Sequence, residues 1–176
     1  MIYIVNGAPG CGKTTFEDLC YEHVRNHAVD IYSTVSFVKE VAKFCGWDGE
    51  KTPESRKFLS DLKHILTEWS NVPYKDTVKF VEGSIEMFHS HDYRDNEYII
   101  FIDCREPEEI TKLKVALGAK ALLVRRESSE HMSTSNESDR NVLDYEYDVV
   151  IDNNGAIDDL KTEVLNFLIS EKIPIE

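Results

Sequence analysis

Cations are scarce in this chain: 20 lysines and arginines stand against 33 aspartates and glutamates, a formal net charge of −13. Nonspecific binding to nucleic acid or to an anionic membrane needs the opposite balance, so both partner classes are excluded, and any phosphate site must be locally basic. Long apolar runs are missing too, with nothing near the roughly 20 residues of a spanning helix. The opening Met1-Ile2-Tyr3-Ile4-Val5 reads as a strand with no basic stretch before it, unlike a secretory signal. The expectation is a cytoplasmic protein. Its four cysteines, Cys11, Cys20, Cys45 and Cys104, lack CxxC or metal-ligand spacing and read as reduced packing residues. His89 and His91, two apart, would face different sides of a helix and read as solvated.

What is present is ordinary for a folded chain: 41% hydrophobic and 30% charged residues, which excludes a disordered or collagen-like class. The 176 residues suffice for one core, and no shift of composition divides them, so residues 1–176 read as a single domain. Ile2 to Asn6 suits a buried strand before a Gly-rich turn, and apolar spacing predicts a helix from about Gly12 to Ala28. A short strand near Ile31 to Thr34 leads into a helical insertion over about 35–95. There Phe58, Leu59, Leu62, Ile65, Leu66 and Trp69 form one apolar stripe and Val78, Val81, Ile85 and Phe88 another, with loops at Gly46 to Pro53 and Asn71 to Tyr74. Tyr98 to Ile102 is an unbroken apolar strand ending in Asp103. A helix opened by Pro107, Glu108 and Glu109 and closed by Gly118 follows. Ala121 to Val124 and Val149 to Ile151 are further strands, and Ile157, Leu160, Val164 and Leu168 mark the last helix. Alternation of this kind predicts a parallel sheet covered on both faces. The polar stretch Arg126 to Asn141 cannot pack as core and reads as a short lid at the carboxyl edge of the sheet or as a plain surface loop.

Gly7-Ala8-Pro9-Gly10-Cys11-Gly12-Lys13-Thr14 has the spacing of a phosphate-binding loop and stands between a predicted strand and a predicted helix, the context that pattern needs. Glycines let successive N–H groups converge on phosphate oxygens, and the helix start adds partial positive charge. Gly7, Pro9, Gly10, Cys11, Gly12, Lys13, Thr14 and Thr15 are therefore the candidate cofactor-binding residues. Lys13 is expected to reach the β- and γ-phosphates of ATP and Thr14 to hold Mg²⁺. Asp103, ending the central strand, should emerge beside that loop as a metal or acceptor partner, and Arg105 offers a fork for an acceptor phosphate; both could equally cap the next helix. Arg125, Arg126 and Arg140 are the cations available to a migrating phosphoryl group, with Arg126 the catalytic candidate and Arg140 on the acceptor side. Ser36 and Lys39 lie one turn apart. Arg56 opens the best amphipathic helix against its dipole, as an anion site would or as a plain solvated charge would.

These pieces resemble, in order, the phage-type deoxynucleoside monophosphate kinases and the related animal-type phosphomevalonate kinases: the loop, Ser36-Phe37-Val38-Lys39-Glu40, Arg56 ahead of a helix, Asp103-Cys104-Arg105, and the tail from Leu143 to Gly155. The resemblance implies a P-loop NTPase three-layer α/β sandwich with a five-stranded parallel sheet, a helical acceptor-binding insertion and a short lid. It implies that Lys39, Arg56 and Arg105 face the acceptor phosphate, and that Asn153 and Asn154 lie near the adenine of ATP. Asn-Asn-Gly after a strand would also serve as a turn and cap. Departures are the acidic lid, with Glu127, Glu130, Glu137 and Asp139, and the acidic run Glu106-Pro107-Glu108-Glu109.

The function expected is therefore ATP- and Mg²⁺-dependent transfer of a γ-phosphoryl group to a nucleoside or deoxynucleoside monophosphate, by a monomer or homodimer. Phe37, Phe44, Trp47, Phe58 and Tyr74 are available to stack on a base. Two alternatives remain: a P-loop kinase of a nucleoside or other small metabolite, with Asp103 as base, and an ATP-binding regulatory protein without efficient transfer.

Overall fold

Five short apolar segments pair in the order β2-β3-β1-β4-β5, every pair parallel. They are β1 (Ile2–Asn6), β2 (Val29–Ser33), β3 (Ile99–Asp103), β4 (Lys120–Arg125) and β5 (Val149–Asp152). The computed structural model describes residues 1–50, 52–130 and 142–176. Tyr3, Ile4 and Val5 of β1, Ile99 to Ile102 of β3 and Ala121, Leu122 and Val124 of β4 are fully buried. That is what a strand covered on both faces requires, and it explains why these segments are unbroken apolar runs.

The helices are α1 (Lys13–His23), α2 (Ser36–Phe44), α3 (Pro53–Ser70), α4 (Val72–Ser90), α5 (Pro107–Leu117), the single turn α6 (Glu127–Glu130) and α7 (Ile157–Ser170). α1 and α7 pack together, with α4 and α5 forming a second pair against the sheet. Phe16 of α1 ties one layer together, its ring 5.8 Å from Phe101 of β3 and 5.5 Å from Phe167 of α7. The three-layer α/β sandwich expected from the sequence is thus observed. α5 shows the expected ends: Pro107 in the first turn, acidic Glu108 and Glu109 behind it, and Gly118 closing it at φ 60°.

The expected boundaries shift in three places. The first helix stops at His23 rather than running to Ala28, because Val24 turns extended to bridge Ile175 near the C-terminus. β2 accordingly starts at Val29 instead of Ile31. Asn71 to Tyr74 is not a loop: Asn71 alone breaks the chain, at φ 52°, and Pro73 sits in the first turn of α4, where its missing N–H costs no helix bond. The apolar stripe of α3 is not buried. α3 packs chiefly on α2 and α4 instead of the sheet, so Phe58, Ile65 and Trp69 remain 38%, 59% and 86% exposed. The insertion's other tryptophan, Trp47, is half-buried and donates its ring N–H to the carbonyl of Glu50 at 3.1 Å. A partly buried ion pair, Lys63 Nζ to Glu109 Oε2 at 2.7 Å, fastens α3 to α5.

Of the expected lid, residues 127–130 form α6, while 131–141, including Arg140, lie outside the described residues. No described helix is long and apolar enough to cross a membrane. The packing assigns different weights to two aromatic residues: Phe16→Ala should cost about 3–5 kcal/mol of stability in denaturant unfolding, whereas Trp69→Ala should change it by less than about 0.5 kcal/mol.

Candidate active site

After β1 the chain crosses to β2, beyond β3; after β3 it crosses back to β4, beyond β1. The connections diverge between β1 and β3, and ligands of open parallel sheets sit at the carboxyl ends of such strands. Both strands end there. Val5 stands in register with Asp103, and the Cys104 N–H donates to the Val5 carbonyl at 3.1 Å, which sets the acid beside the root of the glycine-rich loop.

The loop is held from below. Asn6, buried at the end of β1, accepts from the Gly7 N–H at 2.8 Å and donates to the Tyr147 hydroxyl at 2.8 Å and the Arg105 carbonyl at 3.3 Å. Tyr147 in turn donates to the carbonyl of Val142 at 2.7 Å, linking the loop's root to the chain just after residue 141. Gly7 has no room for a side chain, since a Cβ would meet the Val124 carbonyl and lie 2.6 Å from the Cys11 sulfur. Gly12 starts α1 at φ 98°, and no side chain caps the helix, so its first N–H groups are left for another acceptor. Lys13 lies across the loop, its Nζ donating to the Gly7 carbonyl at 2.6 Å. Thr14 and Thr15 are exposed on the first turn of α1.

Asp103 is where the candidates meet. Burial pushes its carboxyl above the ordinary value, and the charges of Lys13, Arg105 and Lys39, in that order, act against the shift. Three cations from three separate elements thus lie within electrostatic reach of one acid: the loop helix, the turn after β3, and α2 of the insertion. Ser36 opens α2 and is half-buried. Arg56 is exposed on the first turn of α3 and is not among the charges bearing on Asp103. Arg126 is half-buried just past β4, its carbonyl accepting from the Ser129 N–H at 2.9 Å. Asn154 accepts from the Glu127 N–H at 2.8 Å and so anchors the start of α6.

Sequence reasoning missed Glu17. It is 2% exposed, and its Oε1, like Oδ1 of Asp103, is buried without a hydrogen-bond partner among the described residues. Burial first, and then the charge of Asp103, pushes its carboxyl up to about 8, with Lys13 opposing. The signal was available: Phe16, Leu19 and Cys20 mark the buried face of α1, and Glu17 stands on it one turn after Lys13. Two acidic groups with unused oxygens fit a hydrated Mg²⁺, a hard cation that prefers oxygen ligands, and Thr14 on the first turn of α1 adds a hydroxyl on the same helix as Glu17.

The sequence matches no family model and no curated protein. Among solved structures, the thymidylate kinase of Ehrlichia chaffeensis superposes with a TM-score of 0.51 at 13% identity, over 96% of this chain and 98% of that one. The dephospho-CoA kinase of Campylobacter jejuni, with a TM-score of 0.49, is 16% identical over 97% of this chain and 96% of that one. A shikimate kinase of Bacteroides thetaiotaomicron, also at 0.49, is 13% identical over 98% of both. At such identities the likeness to thymidylate kinase is one of fold.

Because the folded Glu17 carboxyl titrates above its ordinary value of 4.5, the native state holds a proton that the unfolded chain has lost. Stability without ligand should therefore fall as pH rises between 4.5 and about 8. Urea midpoints across that range should show the decline in the wild type and a shallower one in Glu17→Gln; a flat wild-type profile would contradict this picture of the buried acid.

Proposed function

We propose that this chain is an ATP-dependent kinase that passes the γ-phosphoryl group to a small phosphorylated acceptor, of the nucleoside or deoxynucleoside monophosphate class. The observation that carries the reading is the gathering of Lys13, Arg105 and Lys39 about Asp103 in a protein of net charge −13. Lys13 belongs to the loop and suffices for one polyphosphate. Arg105 and Lys39 come from outside it, from the turn after β3 and from α2, and a second anion is what two further cations suit.

In this reading the loop's N–H groups and Lys13 hold the β- and γ-phosphates of ATP, and Arg105 and Lys39 hold the acceptor phosphate in line with the γ-phosphorus. A phosphate oxygen of the acceptor forms the new bond as the bond to the β–γ bridging oxygen breaks, and ADP leaves. Such an acceptor is already anionic near neutral pH and needs no base, so the protein's work is alignment and charge neutralisation. Thr14, Asp103 and Glu17 are the residues that would hold Mg²⁺, which when bound supplies charge neutralisation on the β- and γ-phosphoryl oxygens. Arg56 and Arg126 enter as cations of the insertion and of the segment after β4. A hydroxyl acceptor is the second reading, favoured by the raised carboxyl of Asp103, which could take the hydroxyl proton.

The test is ADP formation from Mg-ATP against ribo- and deoxyribonucleoside monophosphates, nucleosides and phosphomevalonate. Stimulation by a monophosphate supports the proposal, stimulation by nucleosides alone supports the second reading, and silence across the panel with ATP bound would overturn both. With the active acceptor, Lys13→Ala should abolish turnover while the far-ultraviolet circular dichroism stays unchanged. Arg105→Ala should raise the acceptor KM or lower kcat by roughly tenfold or more, the loss of a charge-assisted contact, and leave ATP affinity intact.

A further inference from the structure

The turn after β5 carries two adjacent asparagines whose side chains do different work. Asn153 is 6% exposed, and its backbone N–H donates to the Arg125 carbonyl at 2.7 Å, extending the β4–β5 ladder one residue beyond the strand. Its side-chain Nδ2 donates to the Cys11 carbonyl at 2.8 Å. That carbonyl belongs to the peptide joining Cys11 to Gly12, the residue from which α1 starts. A Cβ on Gly12 would run into Nδ2 of Asn153, so the amide fills the space that any side chain at position 12 would need.

In a planar trans peptide the C=O and N–H point in opposite directions. A donor that holds the Cys11 oxygen on one side therefore turns the Gly12 N–H toward the other, away from Asn153. We propose that Asn153 is a positioning residue of the phosphate loop: by holding the Cys11 carbonyl it aims the Gly12 N–H at the bound polyphosphate. This rests on the reading of residues 7–14 as a phosphate site and is offered in place of the adenine contact that the family resemblance implied for Asn153. It also gives Gly12 a second constraint beyond its left-handed backbone, because the residue must leave room for the amide.

A base contact and a loop brace differ in what they do to a ligand that has no base. Binding of Mg-ATP, Mg-GTP, inorganic tripolyphosphate and adenosine to the wild type, Asn153→Ala and Asn153→Asp separates them. The brace predicts that both variants lose affinity for tripolyphosphate and for ATP by the same factor, about tenfold for alanine, the effect of one hydrogen bond. Aspartate should lose more, because an acceptor then faces the Cys11 carbonyl. The ATP-to-GTP ratio and adenosine binding should not move. Loss confined to ATP and adenosine, or tripolyphosphate binding at the wild-type level in both variants, overturns the proposal.

A measurement on the wild type covers the case of variants that do not fold. In ¹⁵N-resolved spectra, tripolyphosphate should shift the Gly12 amide proton downfield and adenosine should not; a Gly12 amide that stays put while tripolyphosphate binds overturns the brace. Failure of the wild type to bind tripolyphosphate at all would instead sink the phosphate-loop reading beneath it.

Discussion

The parallel pairing of β1 with β3 is the constraint on which the rest depends. It brings two segments separated by the whole helical insertion into register at Val5 and Asp103, so the chemistry of one strand end is added to that of the other. Because successive connections leave this pair in opposite directions, nothing in the sheet covers the space above it, and the loop after β1 and the acid after β3 border one crevice. A shift of one residue in this register would turn Asp103 to the other face and part it from Lys13.

Charge within that crevice runs against the protein as a whole. The chain is strongly acidic, yet Lys13, Lys39 and Arg105 gather around one aspartate, and a second acid, Glu17, is enclosed beside it. Enclosing unpartnered carboxyl oxygens is costly for folding, and such cost tends to be kept where a site uses it. The acidic exterior repels polyanions from the rest of the surface, and the few cations gathered at Asp103 make that one place locally basic.

Much of this was legible in the residues. The glycine spacing between strand and helix marked the loop, and the apolar run ending in Asp103 marked the strand that faces it; each is a local pattern with one physical cause. The exposure of the α3 stripe was not legible, because helical periodicity records which residues share a face and says nothing of whether another element lies against it. Glu17 and Asn6 were passed over because a single polar residue on an apolar face looks like noise until its neighbours in space are known. The family resemblance placed Asn153 near the adenine, and its hydrogen bond to Cys11, 142 positions away in sequence, could only come from the fold.

Both tryptophans of the chain, Trp47 and Trp69, belong to the stretch between β2 and β3, and the sheet, the glycine-rich loop and the helices that follow β3 contain none. The protein therefore carries its tryptophans in the insertion alone. Emission excited near 295 nm reports on the insertion and is blind to the glycine-rich loop, so the two sides of the fold can be told apart by light without adding a label.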